Sequence, residues 1–335
     1  MEGTESNIGF SKQQICIDND LLEECGIENY TYNDANHFEF SNVDIIDSGE
    51  YQIKSANLMG DAPKALISID GCKYLTKTGH KWYPIESITE HLLNQLGIVF
   101  GLEMADSRIA IINNQLRFLS KWFLSEDESL VHGAEIFSNY LNDTDFVTEV
   151  EKQKMSRVLF TLQFVEKAVK LYSPTNYNII LHKLVKLLLY DALVGNNDRH
   201  FENWAVIVKN VGSSEPEFSP VYDTARGLFW NQSEESLQTF TDDKIKKYSV
   251  NSKPKLGWDG VNDKNLNHFR LVKEIYQNQF YITQEEMKQL FEQQMIDAMK
   301  KYVVNNYTSL MSSRRIEVIC KCLDFRYQTI KNILI

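Results

Sequence analysis

The sequence predicts an α+β fold of two lobes, a small β-rich lobe followed by a larger helical one. Three observations carry this reading. Between Tyr51 and Phe123 apolar runs alternate with tight-turn dipeptides, the pattern of strands. Past Leu124 the apolar residues recur at helical spacing, and from Ile282 to Ile335 there is no proline or glycine to interrupt helices. The chain has 335 residues, 43% of them hydrophobic and 24% charged, which is enough for one large core or two lobes.

Residues 1–48 mix acids, asparagines and tyrosines without firm periodicity and read as an N-terminal extension. The small lobe is expected over 49–124. In it Ala65–Ile69, Asp70-Gly71 and Cys72–Lys77 spell a hairpin, because Asp-Gly tolerates the positive φ of a two-residue loop. A helix is expected from Ser87 to Gly97. A second hairpin follows, Arg108–Ile112 and Gln115–Phe123 around Asn113-Asn114.

The larger lobe is expected over 125–335. Leu181, Leu184, Val185, Leu188 and Ala192 mark the buried face of one of its helices. Ala205–Val208 and Phe218–Val221 read as short strands joined through Gly212-Ser213-Ser214. The polar stretch from Asn231 to Gly260 reads as a solvated loop, facing substrate by its place in the chain.

Composition excludes several classes. Lys+Arg 35 against Asp+Glu 46 gives a net charge of -11, and there is no basic block, so direct nucleic-acid binding is not expected. The apolar stretch Ile179–Val194 is broken by His182, Lys183, Lys186 and Asp191 and is not a membrane span. Five scattered cysteines fit free thiols in a reducing compartment, and the acidic N-terminus is unlike a secretory signal; a cytoplasmic protein is expected.

The most informative segment is Gly195-Asn196-Asn197-Asp198-Arg199-His200-Phe201-Glu202-Asn203-Trp204. It places Asp198, His200 and Asn203 in a D-x-H-x-x-N order after the apolar helix, and Ser219-Pro220-Val221-Tyr222-Asp223 adds a second carboxylate. One acid to orient a hydroxyl, with an amide oxygen and a further acid to hold a divalent ion, suits metal-assisted phosphoryl transfer. Such chemistry also needs a cation on the nucleotide phosphates. Lys77 ends the first hairpin in a suitable place, with Lys73 on the same face as its competitor, and Glu90 in the next helix is a candidate partner. Ser87-Ile88-Thr89-Glu90 equally spells a capping box, which would turn Glu90 back to the Ser87 amide; both readings stand at this point. A metal hydrolase built on Asp198 and His200 is discounted, since the other histidines have no ligand spacing with them.

Asp198-Arg199-His200-x-x-Asn203 together with Ser219-Pro220-x-Tyr222-Asp223 resembles the HipA-like serine/threonine kinases, over about residues 50 to 330. Ser55 to Lys64 is similar to that family's phosphate loop, with Gly60 and Lys64 as its G-x-x-x-K core. The resemblance implies a bilobal protein-kinase-like fold with ATP and Mg²⁺ as cofactors. Asp198 is then the base or orienter, and Asn203 and Asp223 bind the metal. Lys77, paired with Glu90, contacts the phosphates; Leu124, Ser125 and Glu126 form the adenine-binding hinge; His200 shapes the loop. Asp191 reads as a helix-end residue bonding the loop, and Arg199 as solvated or structurally paired.

The chain departs from the family in three ways. Asn57 stands where many relatives carry an autophosphorylated serine, leaving Ser55 as the candidate. Thr224-Ala225-Arg226-Gly227 follows Asp223 in place of Phe-Gly. Only about fifty residues precede the phosphate loop, the size of a short form lacking the N-terminal subdomain. The resemblance also implies a protein substrate, an aminoacyl-tRNA synthetase in the toxin branch. It further implies a DNA-binding antitoxin or a small regulatory subunit as partner. The rival readings are a phosphoinositide-type lipid kinase and a nucleotide-binding pseudokinase.

Overall fold

Asp70 (φ 49°) and Gly71 (φ 78°) both take the positive φ that a two-residue hairpin turn demands, and the small lobe is assembled around them. This computed structural model describes residues 43–47, 49–55, 64–79, 85–112, 115–212 and 214–335. Strands β1 (Asp44–Ile46), β2 (Tyr51–Ser55), β3 (Lys64–Ile69), β4 (Cys72–Lys77), β5 (Ser107–Ile112) and β6 (Gln115–Lys121) form one sheet in the order β1-β5-β6-β4-β3-β2. The β3–β4 hairpin sets Lys64 opposite Lys77 and Ile69 opposite Cys72. β5 and β6 pair down to Ile112 opposite Gln115; the turn residues 113 and 114 lie outside the described ones.

Both faces of the sheet are covered. Ala65, Ile67 and Ile69 alternate inward from β3 and pack with Ile46, Ala110, Ile112 and Leu119. The opposite face receives α1 (Glu86–Val99), whose Ile88, Leu92, Leu93 and Leu96 are fully buried beside Ile109 and Ile111. The sheet is wider than the two expected hairpins. β1, from the stretch read as an extension, pairs parallel with β5, and β2 lines the other edge.

The capping box expected at Ser87 does not form. The helix begins after Ile85 without a side-chain cap, the Ser87 hydroxyl is buried without a partner among the described residues, and Glu90 bonds Lys77. A buried ammonium out-competes an amide for the carboxylate, since charge-assisted bonds are the stronger ones.

In the larger lobe α2 (Gly133–Leu141), α3 (Phe146–Lys152), α4 (Ser156–Leu159) and α5 (Leu162–Tyr172) precede the central α6 (Tyr177–Val194). Leu181, Leu184, Val185, Leu188 and Ala192 are buried as expected, but so are Leu187, Leu189 and Leu193. From Leu187 to Val194 the helix is therefore surrounded on all sides, while its first turns keep an open face at Asn178, Ile179, His182, Lys183 and Lys186. A small sheet joins β7 (Glu128–His132), β8 (Ala205–Lys209) and β9 (Glu217–Phe218). β7 was not anticipated, and β9 stops before Pro220, which has no N–H to continue a ladder. Val221 instead bridges to the small lobe: it receives the Ala105 N–H at 2.9 Å and donates to Glu103 at 2.8 Å.

The stretch 231–260 is not an irregular loop. It holds α7 (Glu234–Gln238) and α8 (Asp242–Asn251), capped by the Ser233 and Thr241 hydroxyls and each carrying two acids in its first turn. Helix α9 (His268–Asn278) precedes the stretch expected to be helical, and α10 (Gln284–Leu290), α11 (Gln293–Tyr307) and α12 (Ser313–Ile333) fall within it.

Although α1 belongs to the small lobe by sequence, it is fastened to the large one. The Tyr190 hydroxyl donates to the Leu93 carbonyl, Tyr302 donates to Gln95 at 3.1 Å, and the Tyr307 hydroxyl lies 2.7 Å from His91 Nδ1. Among the described residues no helix is long and apolar enough to cross a membrane.

Candidate active site

α6 ends at Gly195, whose φ of 71° turns the chain into the loop that carries Asp198. That loop is organised around one buried ion pair. The Asp191 carboxylate accepts from Arg199 Nε at 3.0 Å and Nη2 at 3.2 Å, and from Asn196 Nδ2 at 2.8 Å. The same guanidinium donates to the Asn203 carbonyl (2.6 Å), the Tyr222 carbonyl (3.0 Å) and Thr224 Oγ1 (2.6 Å). Arg199 thus ties the helix end, the loop and the segment bearing Asp223 into one unit. This settles Arg199 as structurally paired and Asp191 as the helix-end anchor.

The loop lines the interlobe cleft with Asp198, His200, Glu202 and Asn203. Asp198 is held between Arg226 Nε at 3.2 Å and Lys255 Nζ at 3.5 Å. Asn203 donates its Nδ2 to the Asp198 carbonyl at 2.7 Å, which leaves its Oδ1 without a donor among the described residues. His200 borders the same cavity, and its Nδ1 accepts from the Glu202 amide at 3.3 Å.

Asp223 sits in left-handed backbone, φ 52°, unusual for a residue with a side chain. Its carboxylate meets Lys77 Nζ at 2.9 Å and Lys64 Nζ at 3.5 Å, and Lys77 also meets Glu90 Oε1 at 2.8 Å. Burial works against ionising Asp223, but the two ammoniums prevail and hold it below the usual carboxylate range. Lys77, between two carboxylates, is held above its ordinary value despite burial. Because it is shared with Asp223, burial dominates at Glu90 and pushes that carboxyl up to about 7. Lys73, the competing lysine, is exposed.

These groups line one cavity of about 680 Å³, with Lys64, Leu75, Lys77, Glu90 and Phe118 on the small-lobe wall and Asp198, Asn203, Asp223 and Tyr222 on the other. Of the expected hinge, Leu124 borders the cavity together with Trp122 and Phe123, whereas Ser125 and Glu126 do not. The Ser125 amide instead donates to Glu128 at 2.9 Å, in the turn that starts β7. Gly60 and Asn57 lie outside the described residues; Ser55 ends β2, its backbone opposite Leu66.

Sequence reasoning missed Arg226, Lys255 and His132. His132 Nδ1 lies 2.9 Å from the Tyr222 hydroxyl and 2.8 Å from the Glu202 carbonyl. Arg226 was within reach, three residues past Asp223, but Lys255 stands 57 positions from Asp198 with no motif to link them.

The donor set fits Mg²⁺. Among the described residues no group of three His, Cys, Asp or Glu side chains forms a closed metal cage. The site offers an open amide oxygen and a carboxylate answered by lysines, and this ion characteristically binds through one or two carboxylates plus substrate phosphates.

Comparison with known proteins gives a family and a fold. The family described as HipA-like C-terminal domain matches residues 56–303. The crystal structure of the proinflammatory kinase CtkA of Helicobacter pylori superposes with a TM-score of 0.72 at 17% identity, covering 87% of this chain and 96% of that one. HipA of Shewanella oneidensis, solved with HipB and operator DNA as a toxin–antitoxin system, gives a TM-score of 0.51 at 12% identity, covering 82% of this chain and 64% of HipA. At these identities the likeness establishes the fold, an α+β kinase-like one. No curated protein matches the chain by sequence.

Proposed function

Because this chain belongs to the HipA-like family, we propose that it is an ATP-dependent serine/threonine protein kinase. The observation that carries the proposal is the meeting of Lys77 with Glu90 at 2.8 Å and Asp223 at 2.9 Å, across one cavity from Asp198 and Asn203. Lys77, steadied by Glu90, holds the nucleotide phosphates, and Lys64 adds charge from the strand opposite. Asn203 Oδ1 and Asp223 hold Mg²⁺, which supplies neutralisation of the phosphate oxygens when bound. Asp198 orients the acceptor hydroxyl and receives its proton. Trp122, Phe123 and Leu124 frame the base, and His200 shapes the loop. In this reading residues 49–124 cover the nucleotide and residues 125–335 carry the chemistry.

The toxin role follows the same line. An acidic chain of net charge -11 complements a basic, DNA-binding partner of the HipB kind, and a cytoplasmic substrate such as an aminoacyl-tRNA synthetase suits it. The test is phosphate transfer from Mg-ATP, followed by mass spectrometry of the protein and of candidate acceptors. Asp198→Asn is expected to lower transfer by about 10²–10⁴-fold while nucleotide affinity is retained. Equal transfer by wild type and variant, or no Mg-dependent transfer by the wild type, would refute the proposal.

A further inference from the structure

The loop that carries Asp198 is entered through one peptide, Gly195–Asn196, and both polar groups of that peptide are tied down. Its N–H donates to the Asp191 carbonyl at 3.0 Å, and its carbonyl accepts from the Ser252 hydroxyl at 3.0 Å. The first bond closes the end of α6. The second comes from 57 residues further along the chain, where α8 has just ended.

Two more buried side chains place Ser252. His268 Nδ1, at the start of α9, lies 3.0 Å from its hydroxyl, and Arg326 Nη2, from α12, lies 3.1 Å from the same nitrogen. A guanidinium only donates, so Nδ1 accepts and the ring proton lies on Nε2. Burial and the neighbouring Arg326 hold this ring well below its ordinary value, which keeps it neutral. The Ser252 hydroxyl has one proton for two acceptors. Because Arg326 serves Nδ1, that proton is free for Gly195. The same guanidinium donates Nε to the Ala192 carbonyl at 2.9 Å and Nη1 to the Ser249 carbonyl at 2.8 Å. It also packs closely on the turn, since a Cβ at Gly195 would stand 3.1 Å from Nη1.

The path from this peptide to Asp198 is short. Asn196 Oδ1 accepts from the Asp198 amide at 3.3 Å, and Asn196 Nδ2 donates to the Asp191 carboxylate at 2.8 Å. A tilt of the Gly195–Asn196 peptide would carry the Asn196 side chain with it and release the Asp198 amide.

We propose that Ser252, set by His268 and Arg326, is a positioning residue for Asp198. It locks the Gly195–Asn196 peptide and, through Asn196, fixes where the Asp198 carboxylate meets the acceptor hydroxyl. The inference rests on the kinase reading and deepens it. Arg199 braces the loop from within, whereas Ser252 braces it from α8, α9 and α12, helices that contribute no side chain to the lining of the cavity. A displacement of about 1 Å at a reacting group can cost about 10²-fold in rate, so the loss of this bond falls on the chemical step and spares nucleotide binding.

The test is kinetics on the full chain with Mg-ATP and an acceptor that the wild type phosphorylates, at a temperature where circular dichroism shows each variant folded. Ser252→Ala is expected to lower kcat about 10-fold, with KM for ATP changed less than about twofold. Ser252→Thr, which keeps the hydroxyl, should recover most of that loss. In an Asp198→Asn background, Ser252→Ala should cost less than about twofold, because the group it positions is already gone. The same 10-fold loss in that background would mean that Ser252 acts on the fold at large, and would overturn the inference. So would an equal loss in Ser252→Thr and Ser252→Ala, or a raised KM for ATP at unchanged kcat. A wild type without transfer overturns the kinase reading as well, whereas an active wild type whose Ser252→Ala variant keeps its kcat overturns this inference alone. If Ser252→Ala does not fold, Ser252→Cys, whose thiol is a weak donor, takes its place with a loss in the same direction.

Discussion

The two walls of the cleft are built on opposite principles. On the large-lobe wall the loop 195–203 and the segment 222–224 are joined by a buried guanidinium whose bonds are made without a ligand. On the small-lobe wall the ammoniums of Lys64 and Lys77 lean on Asp223 across the cavity, and the buried hydroxyls of Thr78 and Ser87, which border it, have no partner among the described residues. A satisfied wall fixes geometry; an unsatisfied one holds interaction energy for what arrives. Positioning and affinity are thereby assigned to different lobes.

The contrast is broken most severely at Arg199. Arg199→Met strands the Asp191 carboxylate in the interior, and unfolding by urea should show a loss of about 3–5 kcal/mol. A loss below about 1 kcal/mol would mean that the wall is held elsewhere. Lys77→Met acts on the other wall. It should weaken binding of a non-hydrolysable ATP analogue by about 10–100-fold, the worth of one charged hydrogen bond or somewhat more. Its cost in stability should stay well under that of Arg199→Met, because Glu90, already pushed up to about 7, takes a proton when its cation is gone. Equal destabilisation by both variants would erase the distinction between the walls.

The smallest effect is one of pH. Glu90 titrates near 4.5 in the unfolded chain and near 7 in the fold. Between those values the folded chain binds a proton that the unfolded chain lacks. Its contribution is therefore full below pH 4.5 and is lost as pH rises through 7. Asp223, held low, has the opposite sign and loses its contribution as pH falls. Glu90→Gln should flatten the decline in stability between pH 6 and 8 by up to about 1 kcal/mol. The same slope in the variant and the parent would assign that titration to another group.

Much of this arrangement was legible in the sequence because it is local. Asp70-Gly71 declares its turn, the leucines of α6 declare their helix, and Asp198, His200 and Asn203 fall within six residues. What was not legible depends on competition or distance. Ser87 and Glu90 spell a cap, and only the arrival of Lys77 from β4 decides against it. The acids and hydroxyls of residues 233–243 looked like a polar loop, although Ser-Glu-Glu and Thr-Asp-Asp are the opening turns of helices. β7 owes its place to partners 73 to 81 residues away along the chain and Lys255 to one 57 away, for which the sequence carries no short-range signal.

The three tyrosines that clasp α1 have a mechanical corollary. Glu90 rides on a helix moored to α6 and α11, so the pivot for any breathing of the cleft falls inside the small lobe, between the helix and its own sheet. A nucleotide entering or leaving would then displace the curved sheet like a hood over a stationary axle. Deuterium uptake should register that as slow amides in α1 alongside faster ones in β3 and β4.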